Sequence, residues 1–224
     1  RTPINAIKGM LFLLKRTRLT NEQKQHLLNA EGASVSLLHL VDEVLDLAKI
    51  ESGNMSIVKR SASINAMVDQ AVQLNIGLIN QKGLVLNIHI DFDVANVVDT
   101  DDMRVVQVLT NLINNSVKFT HQGEISILVT CENEENSSEI NDELQQVRFT
   151  ISDTGIGIAS EKQGHLFEAF RQADESMTRE YGGSGLGLAI CHQIVTLLDG
   201  TISLISELGK GSEFSFTLPF KVVS

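Results

Sequence analysis

Arg104, Asn111, Asn115 and Lys118 follow one another at spacings of seven, four and three residues. In a helix that spacing lines two amides and two cations along one face, while Val105, Leu109, Leu112 and Ser116 fall on another face suited to packing on a sheet. Thr100 is placed to cap such a helix, and Asp101 and Asp102 suit the positive end of its dipole. A polar stripe by itself is a solvated face. Two glycine-rich segments downstream give this one a chemical reading.

The first, Asp153-Thr154-Gly155-Ile156-Gly157-Ile158, directly follows a strand-like run. An Asp there can accept from an exocyclic amine, and the glycines let a flat ring approach the backbone. That suits adenine and rejects guanine, whose carbonyl would face the carboxylate. The second, Gly182-Gly183-Ser184-Gly185-Leu186-Gly187, leads into a helix, with Arg179 just ahead of it. Closely spaced glycines that open a helix expose several N–H groups at its positive end, a cradle for a triphosphate. The pattern is not that of a P-loop. Each segment alone is also a common turn. Between them, Phe167 and Phe170 stand three residues apart and read as anchors of a mobile lid, as core packing, or as both.

The elements that must hold these residues follow from periodicity. Residues 1–18 carry Ile4, Ile7, Leu11 and Leu14 at helical spacing, and Pro3 is tolerated in a first turn. Thr20, Asn21 and Glu22 supply caps for a second helix. Its heptad stripe runs through Leu27, Ala30, Ser34, Leu37, Val41, Val44 and Ala48, beside a second stripe of Val35, Leu38 and Leu45. One hairpin cannot bury two adjacent stripes, whereas two hairpins can as a four-helix bundle, so a homodimer is expected. A hairpin docked on its own globular domain is the alternative. Glu51-Ser52-Gly53-Asn54 breaks the helix at a domain boundary. Beyond it the expected order is a short strand at 55–59, a helix at 64–81, a strand at 84–92 and the polar-faced helix, followed by a strand at 124–130. Residues 131–146 hold six acidic residues and no basic one, and read as a solvated hairpin loop. A strand at 147–152, a helix at 185–198 and strands at 200–205 and 212–218 complete the chain. Together these predict an α+β protein: a helical hairpin, then an α/β sandwich with helices on one face of a mixed sheet.

Composition narrows the function. Hydrophobic residues make up 42% of the 224 and charged residues 21%, enough for a packed core. A net charge of −10 argues against nucleic acid or an anionic membrane surface as the main partner. Anions must therefore be handled locally, by backbone N–H groups and a few placed cations. No run approaches the ~20 apolar residues of a membrane span. Cys131 and Cys191 have no partner motif, which suggests a reducing, cytoplasmic setting and packing roles.

These motifs, in this order, resemble those of sensor histidine kinases. Residues 111–120 look like the N box, residues 153–158 the G1 box, Phe167 to Phe170 the F box and Gly183 to Gly187 the G2 box. Arg1-Thr2-Pro3-Ile4-Asn5-Ala6-Ile7 resembles the tail of the H box, His-Glu-Leu-Arg-Thr-Pro. Phe170-Arg171-Gln172-Ala173-Asp174 and Thr178-Arg179-Glu180-Tyr181-Gly182-Gly183 resemble the hybrid kinases, which also carry receiver domains.

The resemblance implies a dimerisation and histidine phosphotransfer domain at 1–55 and an ATP-binding catalytic domain at 56–224, of the gyrase–Hsp90–histidine kinase type. It assigns Asn115 to Mg²⁺ and Asn111 to the position that ATP-hydrolysing relatives fill with a glutamate base. An amide cannot take a proton from water, so wasteful hydrolysis should be slow. Lys118 and Arg179 match phosphate contacts, Phe119 the ring stacked on adenine and Asp153 the adenine acceptor. Gly155, Gly157, Ile158, Phe167, Gly183, Ser184, Gly185, Leu186 and Gly187 complete the ATP-binding set, and Thr217 reaches the adenine through water. Thr2 matches the position that orients water in phosphatase activity. The family's acceptor histidine falls three residues before Arg1, and none of the six histidines present occupies its position. The implied activity is phosphoryl transfer from Mg²⁺-ATP to that histidine and then to a receiver-domain aspartate, in the same chain or a separate response regulator. The implied setting is the cytoplasmic side of a bacterial inner membrane, with an anchor upstream. An ATP-hydrolysing clamp and a dimeric module that binds nucleotide without catalysis are the rival readings.

Overall fold

The structure, a computed structural model, describes residues 2–132, 144–168 and 185–223. The chain forms two compact units, Arg1–Met55 and Ser56–Ser224.

The first unit is a hairpin of α1 (Thr2–Lys15) and α2 (Asn21–Glu51). Thr20 starts α2 through a capping box: its hydroxyl accepts from Gln23 N at 3.2 Å, and its own N–H donates to Gln23 Oε1 at 3.0 Å. Lys15 on α1 pairs with Glu31 on α2 at 3.0 Å. At 3.6 residues per turn, Leu27, Ser34 and Leu38 share one line along α2, whereas Leu37 and Val44 stand about a quarter turn away. Leu27 and Ser34 are buried and Leu38 half-buried, while Leu37 and Val44 are both exposed. The two expected stripes therefore exchange members. Leu38 belongs to the inner line, and Leu37 and Val44 face outward.

The second unit is a mixed sheet covered by helices. Its elements are β1 (Arg60–Ser63), α3 (Ile64–Lys82), β2 (Val85–Ile90), β3 (Val97–Thr100), α4 (Asp102–Phe119), β4 (Glu124–Cys131), β5 (Leu144–Asp153), α5 (Ser160–Gln163), α6 (Gly187–Leu197), β6 (Thr201–Glu207) and β7 (Gly211–Val222). The strands run in the order β1-β3-β7-β5-β4-β2, and β6 pairs with β7. β2 and β4 are parallel and the other pairs antiparallel. α4 packs on β4 and β5, with α3 and α6 on either side. Its buried Val105, Leu109 and Leu112 meet a sheet face built of Ile125, Ile127, Val147, Phe149, Ile151 and Phe216. Phe149 and Phe216 stack at 4.8 Å, and Phe220 meets Phe149 edge-on. Among the described residues, no helix is long and apolar enough to cross a membrane.

Three local expectations are corrected. The strand expected at 55–59 lies at Arg60–Ser63, where it pairs with β3 and Arg60 grips Asp102 through Nε at 2.6 Å and Nη2 at 2.8 Å. That pair holds the Asp102 carboxyl below its usual range. The cap of α4 is Asp101, whose side chain accepts from Arg104 N; Thr100 ends β3 instead. The hairpin loop expected to reach residue 146 is shorter, because β5 begins at Leu144 and pairs with β7 from there. Residues 133–143 lie outside the described set.

Candidate functional site

Asp153, a buried residue 9% exposed, ends β5. Oδ1 accepts from Gly155 N at 2.9 Å and from Ser212 N at 3.3 Å, and Oδ2 accepts from the Ser116 hydroxyl at 3.2 Å. Burial pushes its pKa above the ordinary carboxylate range, opposed by these three donors. A carboxylate offers about four acceptor positions, so three internal donors leave room for one from outside.

The loop after Asp153 is held from both sides. Ile156 N donates to Phe119 O at 3.2 Å, Gly209 N to Ile156 O at 2.7 Å and Ile158 N to the Ser206 hydroxyl at 2.8 Å. Two glycines are required by contact. A Cβ at Gly155 would strike the Phe119 carbonyl, and one at Gly157, whose φ is +65°, would strike the Glu207 carbonyl. The loop thus joins the end of α4 to the β6–β7 turn.

On α4, Asn111, Asn115 and Lys118 are half-buried on the face expected for them. Asn111 Nδ2 lies 3.5 Å from Gly187 O, which brings the helix to the start of α6. Lys118 Nζ sits 4.8 Å above the Phe119 ring. α6 begins two residues later than expected, with Gly185 at φ +70° and Leu186 buried. Phe167 packs against the His192 ring at 5.8 Å. Arg179, Gly183, Ser184 and Phe170 lie outside the described residues. Thr2 is exposed at the start of α1. A cavity of about 300 Å³ lined by Ile64, Ile90, Phe92 and Asn96 contains none of the candidate residues.

Thr217 is a correction. Asp153 pairs with Ser212, and Phe149 with Phe216, so alternation turns Thr217 and its partner Arg148 to the opposite face of the sheet. There its hydroxyl donates to Glu132 at 3.2 Å. The β7 residue on the Asp153 side is Ser212, which sequence reasoning missed. Ser116 was placed on the packing stripe, and a hydroxyl among valines and leucines was the available signal that it partners a buried polar group.

Residues 100–222 match the family model described as Histidine kinase-, DNA gyrase B-, and HSP90-like ATPase. The chain belongs to this family. Residues 1–53 match the His Kinase A (phospho-acceptor) domain, so the two family segments fall in the order that the motifs implied. Hybrid signal transduction histidine kinase L of Dictyostelium discoideum is 42% identical over 99% of this chain and 13% of its own length. Autoinducer 2 sensor kinase/phosphatase LuxQ of Vibrio cholerae is 38% identical over 100% of this chain and 25% of its own. The chain therefore spans a quarter or less of these two relatives. Among solved structures, ShkA full-length in complex with AMPPNP superposes with a TM-score of 0.79 at 30% identity, over 100% of this chain and 44% of that one. The sandwich is thus the family's fold, and the candidate residues Asn111, Asn115, Lys118 and Asp153 lie on its central helix and at the end of β5.

Proposed function

We propose that this chain is the transmitter region of a hybrid-type sensor histidine kinase, which binds Mg²⁺-ATP and passes the γ-phosphoryl group to the histidine that the family motif places three residues before Arg1. The observation that carries the reading is the buried Asp153 carboxylate, which accepts three internal donors and has acceptor capacity for one more. An adenine amine is such a donor. Phe119, at the end of α4, is at hand for the ring, and Lys118 and the start of α6 are at hand for phosphates.

The donor set fits the ion that accompanies ATP. Asn115 offers a neutral amide oxygen, which suffices where the triphosphate brings the charge and Mg²⁺ keeps its waters. Asn115 would hold Mg²⁺ there, and the ion would supply positive charge against the negative charge that develops during phosphoryl transfer. Asn111, an amide, holds Gly187 O and takes no proton from water, so the bound nucleotide is kept from hydrolysis. In the transfer the histidine nitrogen bonds to the γ-phosphorus as the bridging bond to ADP breaks, and a receiver aspartate then takes the phosphoryl group from the histidine.

Nucleotide titration with and without Mg²⁺ tests the metal assignment. Asn115→Ala should weaken ATP binding in Mg²⁺ and change it little in EDTA. An equal loss in both would assign Asn115 to something other than the ion.

The hairpin supports a homodimer as a four-helix bundle. Ile7, Met10 and Leu14 on α1 and Leu37, Leu40 and Val44 on α2 are apolar and exposed, more than one small hairpin leaves to water. Leu37→Asp with Val44→Asp should give monomers in sedimentation velocity, because each buried unpaired carboxylate costs about several kcal/mol. A dimer that survives both substitutions would move the interface elsewhere.

A further inference from the structure

The end of α4 leaves its last carbonyls without helical partners. Ser116 O takes the N–H of Thr120 at 3.0 Å, and Phe119 O takes that of Ile156. Three others converge on one ammonium. Lys82 Nζ donates to Val117 O at 2.6 Å, Lys118 O at 3.0 Å and Thr120 O at 3.1 Å. A lysine has three N–H groups, so the match is complete.

Lys82 is the last residue of α3, yet its own helix does not need it. Gly83, at φ +66°, closes α3 through Gly83 N to Asn80 O and Leu84 N to Ile79 O, both at 3.1 Å. The side chain is therefore available to cross to the neighbouring helix, where a cation also suits the negative end of the dipole. The peptides it holds are those that carry Lys118 and Phe119. Phe119 O in turn fixes Ile156, and the Phe119 carbonyl is what Gly155 packs against.

We propose that Lys82 is a positioning residue of the nucleotide site. Its ammonium fixes the end of α4, and through Phe119 O the loop at 154–158, in the arrangement that receives the nucleotide. This rests on the ATP-binding reading above. Displacement of a ligand-facing group by a fraction of an ångström to one ångström is enough to be felt at a preorganised site, although Lys82 touches no ligand.

The test compares Lys82→Met and Lys82→Arg with the unsubstituted chain, at a temperature where all three are folded. Calorimetric titration reads ATP affinity, and amide hydrogen exchange reads the Ile156 N–H. Methionine keeps the stem and removes the donors, so affinity should fall about tenfold and Ile156 should exchange faster. Arginine restores a cation with several donors and should recover most of both. Unchanged affinity in Lys82→Met overturns the proposal and leaves Lys82 a stabilising cap. A loss that arginine does not recover also overturns it. If the unsubstituted chain binds no ATP, the functional reading fails instead, and the exchange of Ile156 in the two variants then decides whether Lys82 positions the loop.

Discussion

Asp153→Asn is expected to weaken ATP binding about ten- to a hundredfold and leave the nucleotide-free protein at least as stable as before. The two effects separate because the carboxylate does different things for fold and ligand. For the fold it is an acceptor of Gly155 N, Ser212 N and the Ser116 hydroxyl. An amide oxygen can keep both N–H donors, and the amide N–H can turn to the Ser116 oxygen, which accepts as readily as it donates. For an adenine amine the same amide presents a donor to a donor, a buried mismatch of about 1–3 kcal/mol. Burial raises the Asp153 pKa above its ordinary 3.8, so the native state holds this proton more tightly than the unfolded chain does. Its contribution to stability is then fully present below 3.8 and is lost as pH rises through the folded value. Asn carries no such penalty. Scanning calorimetry at pH 7 should find the variant melting at or above the parent, with the advantage closing as pH falls toward 3.8. Unchanged ATP affinity in that folded variant would sink the assignment of Asp153 to adenine.

Features that depend on short-range chemistry were legible in the sequence. Thr20 and the break at 51–54 bound α2, and the apolar stripe of α4 set which side of that helix meets the sheet. The loop at 153–158 was legible from its closely spaced glycines directly after a strand-like run, although the carbonyls that require those glycines, on Phe119 and Glu207, are distant in sequence. The features that were not legible depend on partners distant in sequence. β1, with the sequence Arg-Ser-Ala-Ser, has almost no strand propensity and exists because β3 and Asp102 hold it. Thr217 and Ser212 differ only in strand parity, which is set by the register of β7 against β5, and a one-residue error puts a side chain on the wrong face. Lys82 looks in sequence like an ordinary last-turn lysine, and only the packing of α3 beside α4 gives it three carbonyls. The two α2 stripes were separable in principle, but a strict heptad count and a true helical period part company within a few turns.

A polypeptide of residues 1–224 is expected to bind Mg²⁺-ATP and yet incorporate no acid-labile phosphate. Phosphoryl transfer needs a nucleophile held in line at about 3–3.5 Å, and positioning supplies most of the rate. None of the six histidines stands at the motif's acceptor position. His26 and His39 lie on α2, engaged with Glu22 and Glu43, whereas the H-box resemblance runs into α1. His89 pairs with Asp91 at 2.8 Å on edge strand β2, and His165 pairs with Glu168. His192 packs its ring against Phe167. His121 follows the end of α4, in the second unit. Adding His-Glu-Leu before Arg1 would extend α1 by almost one turn and supply the nucleophile in the motif's register. Labelling from γ-labelled ATP should then appear, stable in base and lost in acid, and the same extension with Gln in place of His should stay unlabelled. The contrast is close to all-or-none, since without a nucleophile only the slow reaction with water remains. Robust acid-labile labelling of residues 1–224 without the extension would overturn the acceptor assignment and direct attention to the histidine that became modified.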